Sequence, residues 1–149
     1  MGMLDGVKVL DFTHAYAGPF CTMTMADFGA QVIKIEKVSG GDQARSWGPF
    51  KNGYSGYYAS FNRGKKSLPL DLRAPEAKEI IRRLIAESDI ICSNFKAGTM
   101  EKMGFSYEEV RKIKPDIIFA ELSGFGSKGA LSAYAAYDNV MQAVSGVMD

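Results

Sequence analysis

The chain alternates short apolar runs with longer stretches of helical periodicity. Val7-Lys8-Val9-Leu10-Asp11-Phe12 reads as a strand and Ala17-Gly18-Pro19 as a break. The stretch from Phe20 to Phe28, with Phe20, Met23, Met25 and Phe28 at helical spacing, reads as a helix. Gly29 stops that helix, and the alternating Ala30-Gln31-Val32-Ile33-Lys34-Ile35-Glu36 predicts a second strand, completing a βαβ unit. From Lys37 to Asn62 the pattern dissolves into Gly, Ser, Tyr and Asn, which predicts a long irregular loop. Ser67-Leu68-Pro69-Leu70-Asp71-Leu72 is extended, and Pro69 confines it to a sheet edge or a strand start.

Pro75 opens the clearest helix: Ala77, Ile80, Ile81, Leu84 and Ile85 form one apolar stripe, with Lys78, Glu79, Arg82 and Arg83 facing water. Asp89-Ile90-Ile91-Cys92-Ser93 predicts a strand buried on both faces of a parallel sheet. Ser106-Tyr107-Glu108-Glu109 has capping-box spacing and starts a helix running to about Ile113. Asp116 to Leu122 predicts the next buried strand, Gly124, Gly126 and Gly129 break the chain, and Tyr137 to Met148 predicts a last helix. Strands alternating with helices in this way predict an α/β fold. It is Rossmann-like, with a mostly parallel sheet and helices on both faces, and ligands are expected in the turns after Phe12, Glu36, Ser93 and Leu122.

Composition narrows this picture. The 149 residues carry 18 Lys plus Arg against 17 Asp plus Glu, so a nucleic-acid partner bound by phosphate neutralisation is not expected. The length suits one domain, 1–149, built around a single core. No signal peptide or membrane span is evident in the sequence, and the chain reads as cytoplasmic. Cys21 and Cys92 lie far apart in apolar surroundings, which fits core thiols rather than a disulfide; with one histidine, His14, no metal site is expected.

The turn after the first strand, Thr13 to Pro19, lacks the glycine fingerprint of dinucleotide sites. His14 has no Ser or Cys partner in a triad motif and reads as a structural hydrogen-bonder before a catalyst. Asn62-Arg63-Gly64-Lys65-Lys66 is the densest basic cluster, either a solvated loop or a site for a phosphorylated ligand. Ser93-Asn94-Phe95-Lys96-Ala97-Gly98 follows a strand end, where Asn94 could bond a ligand, Phe95 pack on it and Lys96 pair with an anion.

A series of motifs runs nearly end to end. It comprises Leu4-Asp5-Gly6-Val7-Lys8-Val9-Leu10-Asp11, Ala17-Gly18-Pro19, Asp27-Phe28-Gly29-Ala30 through Glu36, Gly41-Asp42, Asn62 through Ser67 with Leu70-Asp71-Leu72, Asn94 through Gly98, and Tyr137-Asp138. In order and spacing these resemble the amino-terminal part of the class III CoA-transferase family, the group of formyl-CoA:oxalate and carnitine CoA-transferases with α-methylacyl-CoA racemase as a branch.

The resemblance implies coenzyme A as substrate or ligand, with no covalently bound cofactor, and acyl-CoA and carboxylate substrates. It places CoA contacts at Tyr16 and Ala17, at Lys37 near the phosphates, and at Leu70, Asp71, Leu72 and Arg73 beside the adenosine. Further contacts fall at Asn94, Phe95 and Lys96 and at Lys102. Tyr137 and Asp138 fall near the family's active site. The racemase branch carries a histidine at the Tyr137 position, so the tyrosine favours the transferase reading, although transferases often have a basic residue where Ala135 and Ala136 stand. The family's nucleophilic aspartate lies downstream, past Asp149, so no catalytic residue is expected within the chain. A CoA-transferase portion is therefore the first expectation, a stand-alone CoA-binding or assembly module the second, and a racemase-like isomerase the third. Family members form interlocked dimers, which implies a homodimer or self-association here.

Overall fold

The computed structural model describes residues 2–148; Met1 and Asp149 lie outside the described residues. Five parallel strands form the main sheet: β1 (Lys8–Asp11), β2 (Gln31–Glu36), β5 (Lys65–Pro69), β6 (Ile90–Ser93) and β7 (Ile118–Glu121). Their spatial order is β5-β2-β1-β6-β7, so the chain builds outward from β1 in one direction and then restarts on its other side at β6. A reversal of this kind leaves a crevice beyond the carboxyl ends of β1 and β6, where the connections leave in opposite directions.

Alternation along the strands assigns the two faces. Leu10 sits beside Ile33 and Ile91 in register. With Phe12 and Ile35 they pack under α3 (Pro75–Ala86) and α5 (Tyr107–Ile113), through Ile81, Ile85 and Val110. Val9, Val32 and Cys92 face the other way, against Met25 and Ala26 of α1 (Ala17–Asp27). The expected Rossmann-like parallel sheet with helices on both faces is the fold.

The capping chemistry acts as the sequence predicts at α5, where the Ser106 hydroxyl accepts the Glu109 N–H. Pro75 occupies the first turn of α3, where its missing N–H costs nothing. Pro69 closes β5, the outermost strand on its side among the described residues, where no neighbouring strand requires its N–H.

Several expectations change. Gly18 and Pro19 lie inside the first turn of α1, whose N–H groups have no intrahelical acceptor in any case. Gly18 is required by close approach, because a Cβ there would stand 2.4 Å from the Thr13 side chain. Phe20 and Phe28 are exposed, leaving Met23 as the buried member of the apolar series expected for α1. Ile80 likewise turns outward from the α3 stripe. β7 is an edge strand with Ile118 60% exposed rather than a buried strand, because no further strand pairs with it among the described residues. The last helix, α6 (Asp138–Ser145), is shorter than the predicted 137–148 and buries none of its residues; Gly146, at φ +77°, ends it.

The stretch from Lys37 to Asn62 is ordered. It holds a single 3₁₀ turn over Gln43–Ser46, the hairpin β3 (Phe50–Lys51) and β4 (Tyr54–Ser55), and α2 (Gly56–Asn62). Asp42 caps the 3₁₀ turn through the Ala44 N–H, and Ser55 caps α2 through the Tyr58 N–H. α4 (Thr99–Lys102) is a single turn after β6. Both cysteines are free thiols as expected, Cys92 buried and Cys21 half-buried.

Candidate functional site

Strand alternation places charged residues on the α1 side of the sheet, near the carboxyl ends of the strands. Asp11 and Lys34 are in register on adjacent strands, and both are fully buried. Each has found a partner. Lys34 lies 3.0 Å from Asp42, and its ammonium donates to the Thr13 carbonyl. Asp11 is 3.0 Å from Lys65 and accepts the hydroxyl and N–H of Thr13 and the hydroxyl of Thr22. Burial of such charges is tolerable only with partners of this quality.

The Glu36 carboxylate, at the end of β2, is the most heavily bonded group. It accepts both nitrogens of the Arg45 fork at 2.8 Å, the Asp42 N–H, and the hydroxyls of Tyr58 and Ser67. Burial alone would raise its pKa, but the Arg45 guanidinium and the other donors outweigh that and hold the carboxyl well below its usual range. Arg45 also stacks over the Tyr58 ring at 3.8 Å, so the 3₁₀ turn and α2 are fastened to the sheet through one carboxylate.

Two side chains tie neighbouring turns together. Asn94, after β6, accepts the His14 N–H at 2.7 Å and donates to the His14 carbonyl at 2.8 Å. Asp42, after β2, accepts the Ala15 N–H at 3.1 and 3.2 Å. Ala15 has φ +65°, a conformation L-residues avoid outside glycine. The turn after β1 is thus held from both sides.

A cleft of about 440 Å³ opens beside this turn. Its floor includes Phe12, Ile35 and Glu36; its walls include His14 and Phe95, whose rings lie 5.1 Å apart. Lys37, Val38 and Ser39 after β2 line it, as do Leu70, Asp71, Leu72 and Arg73 after β5. Arg73 is bonded to Asp71 at 2.9 Å, and both are exposed. Burial lowers the His14 pKa, against the opposing pull of the Asp42 carboxylate 4.0 Å away.

Of the residues singled out in the sequence, Lys37, Leu70, Asp71, Leu72, Arg73 and Phe95 share this cleft. Asn94 stands behind its wall, with its amide engaged on His14. Tyr16 and Ala17 start α1 outside the cleft lining, Tyr16 packing edge-on against Phe61 at 4.9 Å. Lys96 and Lys102 are exposed near α4 and do not line the cleft. Tyr137 and Asp138 lie at the start of α6, also away from it. Within the basic cluster, Arg63 pairs with Asp27, Lys65 is buried against Asp11 and Lys66 is exposed. Missed in the sequence were His14 as a wall of the cleft and Asp42 as its brace. The strand-end rule pointed to their turns, but nothing local in the sequence links Asp42 to Ala15.

A chain with this sheet order and this cleft matches the family description "CoA-transferase family III" over residues 4–149. The chain belongs to CoA-transferase family III. It is 43% identical over 147 residues to the acetyl-CoA:oxalate CoA-transferase of Acetobacter aceti, covering 99% of this chain and 38% of that one. Against the human succinyl-CoA:glutarate CoA-transferase it is 44% identical, covering 97% of this chain and 33% of the relative. A solved CAIB/BAIF family protein from Brucella suis superposes with a TM-score of 0.93 at 40% identity, covering 99% of this chain and 40% of that one. The chain therefore spans between a third and two-fifths of the length of these relatives. CoA-transferases use CoA as a substrate or ligand, and no helix of the described residues is long and apolar enough to cross a membrane.

Proposed function

We propose that residues 1–149 are the Rossmann-like, CoA-binding portion of an enzyme that moves CoA between an acyl-CoA and a carboxylic acid. The observation that carries this reading is the cleft beyond β1, β2 and β5, which joins apolar walls to exposed cations. CoA presents an aromatic base and a string of phosphates. Leu70, Leu72 and Phe95 suit the base, and Lys37 and Arg73 suit the phosphates. The names of the relatives, which pair acyl-CoA donors with oxalate or glutarate, support a small carboxylic acid as the acceptor class.

On this reading the thioester is attacked by the carboxylate of the family's nucleophilic aspartate, which lies downstream of the residues described, giving a mixed anhydride and CoA thiolate. The described residues bind and orient CoA. Calorimetry with CoA tests the proposal: Lys37→Ala and Arg73→Ala each weaken binding about three- to tenfold, more at low salt than at high salt. No heat at millimolar CoA overturns it.

The reading extends to self-association and to a cytoplasmic setting. Ile118 on β7 and Tyr137, Val140 and Val144 on or beside α6 are exposed, the kind of apolar surface that pairs between copies. Light scattering of the chain is expected to give a dimer or larger species, and a clean monomer removes this part.

A further inference from the structure

We propose that Asp42 is a positioning residue that holds Ala15 in its left-handed conformation and thereby fixes His14 in the wall of the cleft. Its carboxylate is fully buried and bonds the Ala15 N–H with both oxygens. One of those oxygens also accepts the Ala44 N–H, and the other pairs with Lys34 at 3.0 Å. The Asp42 N–H donates in turn to Glu36, so the brace is anchored to the end of β2. Opposite it, Asn94 grips both polar groups of the His14 main chain from the end of β6. The turn after β1 therefore has its N–H of residue 14 assigned to one neighbouring strand end and its N–H of residue 15 to another.

A left-handed alanine is strained relative to its ordinary conformations. Without an acceptor for its N–H, Ala15 relaxes toward them, the turn rotates, and the His14 ring leaves Phe95. Glycine at position 15 carries no such bias. The strain at Ala15 and the carboxylate of Asp42 are thus two halves of one device. Asp42 does not line the cleft; it acts through the turn.

The ligand side of this inference rests on the CoA reading above, and the test separates the two. Removing Asp42 alone would leave the Lys34 ammonium buried without a counter-charge, so all variants are made in a Lys34→Met background. Asp42→Asn keeps a side-chain oxygen for the Ala15 N–H, whereas Asp42→Ala does not. The first readout needs no ligand. His14 is the sole histidine, and its ring protons sense the Phe95 ring 5.1 Å away, giving one assignable proton resonance set. Read at about pH 8, where the ring is neutral in every variant, those shifts are expected to stay native with Asp42→Asn, move with Asp42→Ala, and return when Ala15→Gly is added to the latter.

The second readout is CoA affinity by calorimetry. Asp42→Ala loses about tenfold against Asp42→Asn, and Ala15→Gly recovers it to within about threefold, the scale of one hydrogen bond and one strained residue. If asparagine and alanine behave alike in both readouts, or glycine restores nothing, the proposal is overturned. If the unmodified chain binds no CoA, the CoA reading falls and the His14 shifts alone decide the role of Asp42.

Discussion

Lys65 of β5 reaches past β2 to Asp11 of β1, placing its ammonium 3.0 Å from the carboxylate with both groups buried. The same ammonium donates to the Pro19 carbonyl and the Asn62 side chain, so it joins β1, α1 and the end of α2. Lys65→Met is expected to destabilise the fold by about 3–5 kcal/mol, because it strands a dehydrated carboxylate. Urea unfolding measures this, and a loss under about 1 kcal/mol would show that Thr13 and Thr22 suffice to hold Asp11.

Acid weakens the fold through Glu36. Its folded-state pKa lies below the ordinary 4.5, so its contribution is complete above that value and is lost as the pH falls toward the lower folded value. The loss is at most about 1.4 kcal/mol per pH unit for one group. Glu36→Gln is expected to be less stable than the unmodified chain at pH 7 and to approach it at about pH 3. Equal gaps at both pH values would contradict a linked role for this carboxylate.

His14 is expected to titrate below 6.5 in proton NMR, since burial disfavours its charged form. With its folded value lowered, the neutral ring contributes stability above about 6.5, and that contribution is lost as the pH falls below it. Asp42 opposes the shift more strongly than Lys34 adds to it, so the Lys34→Met/Asp42→Asn chain should titrate below the unmodified chain. A midpoint above 6.5 in the unmodified chain would mean that the Asp42 charge outweighs burial.

Burial pushes the Cys92 thiol up to about 12, which leaves almost no thiolate at neutral pH. Alkylation at pH 8 is expected to modify half-buried Cys21 first and to reach Cys92 only with unfolding, as read by peptide mass mapping. Prompt labelling of Cys92 in the folded chain would show that the α1 face opens readily.

The sheet is legible in the sequence because its signals are local. Apolar runs such as Ile90-Ile91-Cys92 are buried by their own pattern, and the Ser106 and Pro75 caps depend on residues within a turn. The stretch after Lys37 is not legible, since its order comes from Glu36 bonding Tyr58 and Ser67, residues 22 and 31 positions away. Lys65 misleads for a related reason. A cation among Arg63, Gly64 and Lys66 looks solvated until the strand order brings Asp11 to it. Within the cleft, Leu70 to Arg73 and Phe95 are visible as strand-end residues. His14 reads as structural in the sequence because one imidazole without a triad carries no motif, and its partners Asp42 and Asn94 lie 28 and 80 positions on.

The Lys34–Asp42 pair has a consequence for inheritance. A gene that alters either codon alone produces a chain with a stranded interior charge, whereas a gene that alters both to neutral residues does not. Descendants of this sequence therefore keep the two positions together or exchange them together. The route between those outcomes runs through a less stable intermediate, so the pair is expected to vary as a single character among its lineages.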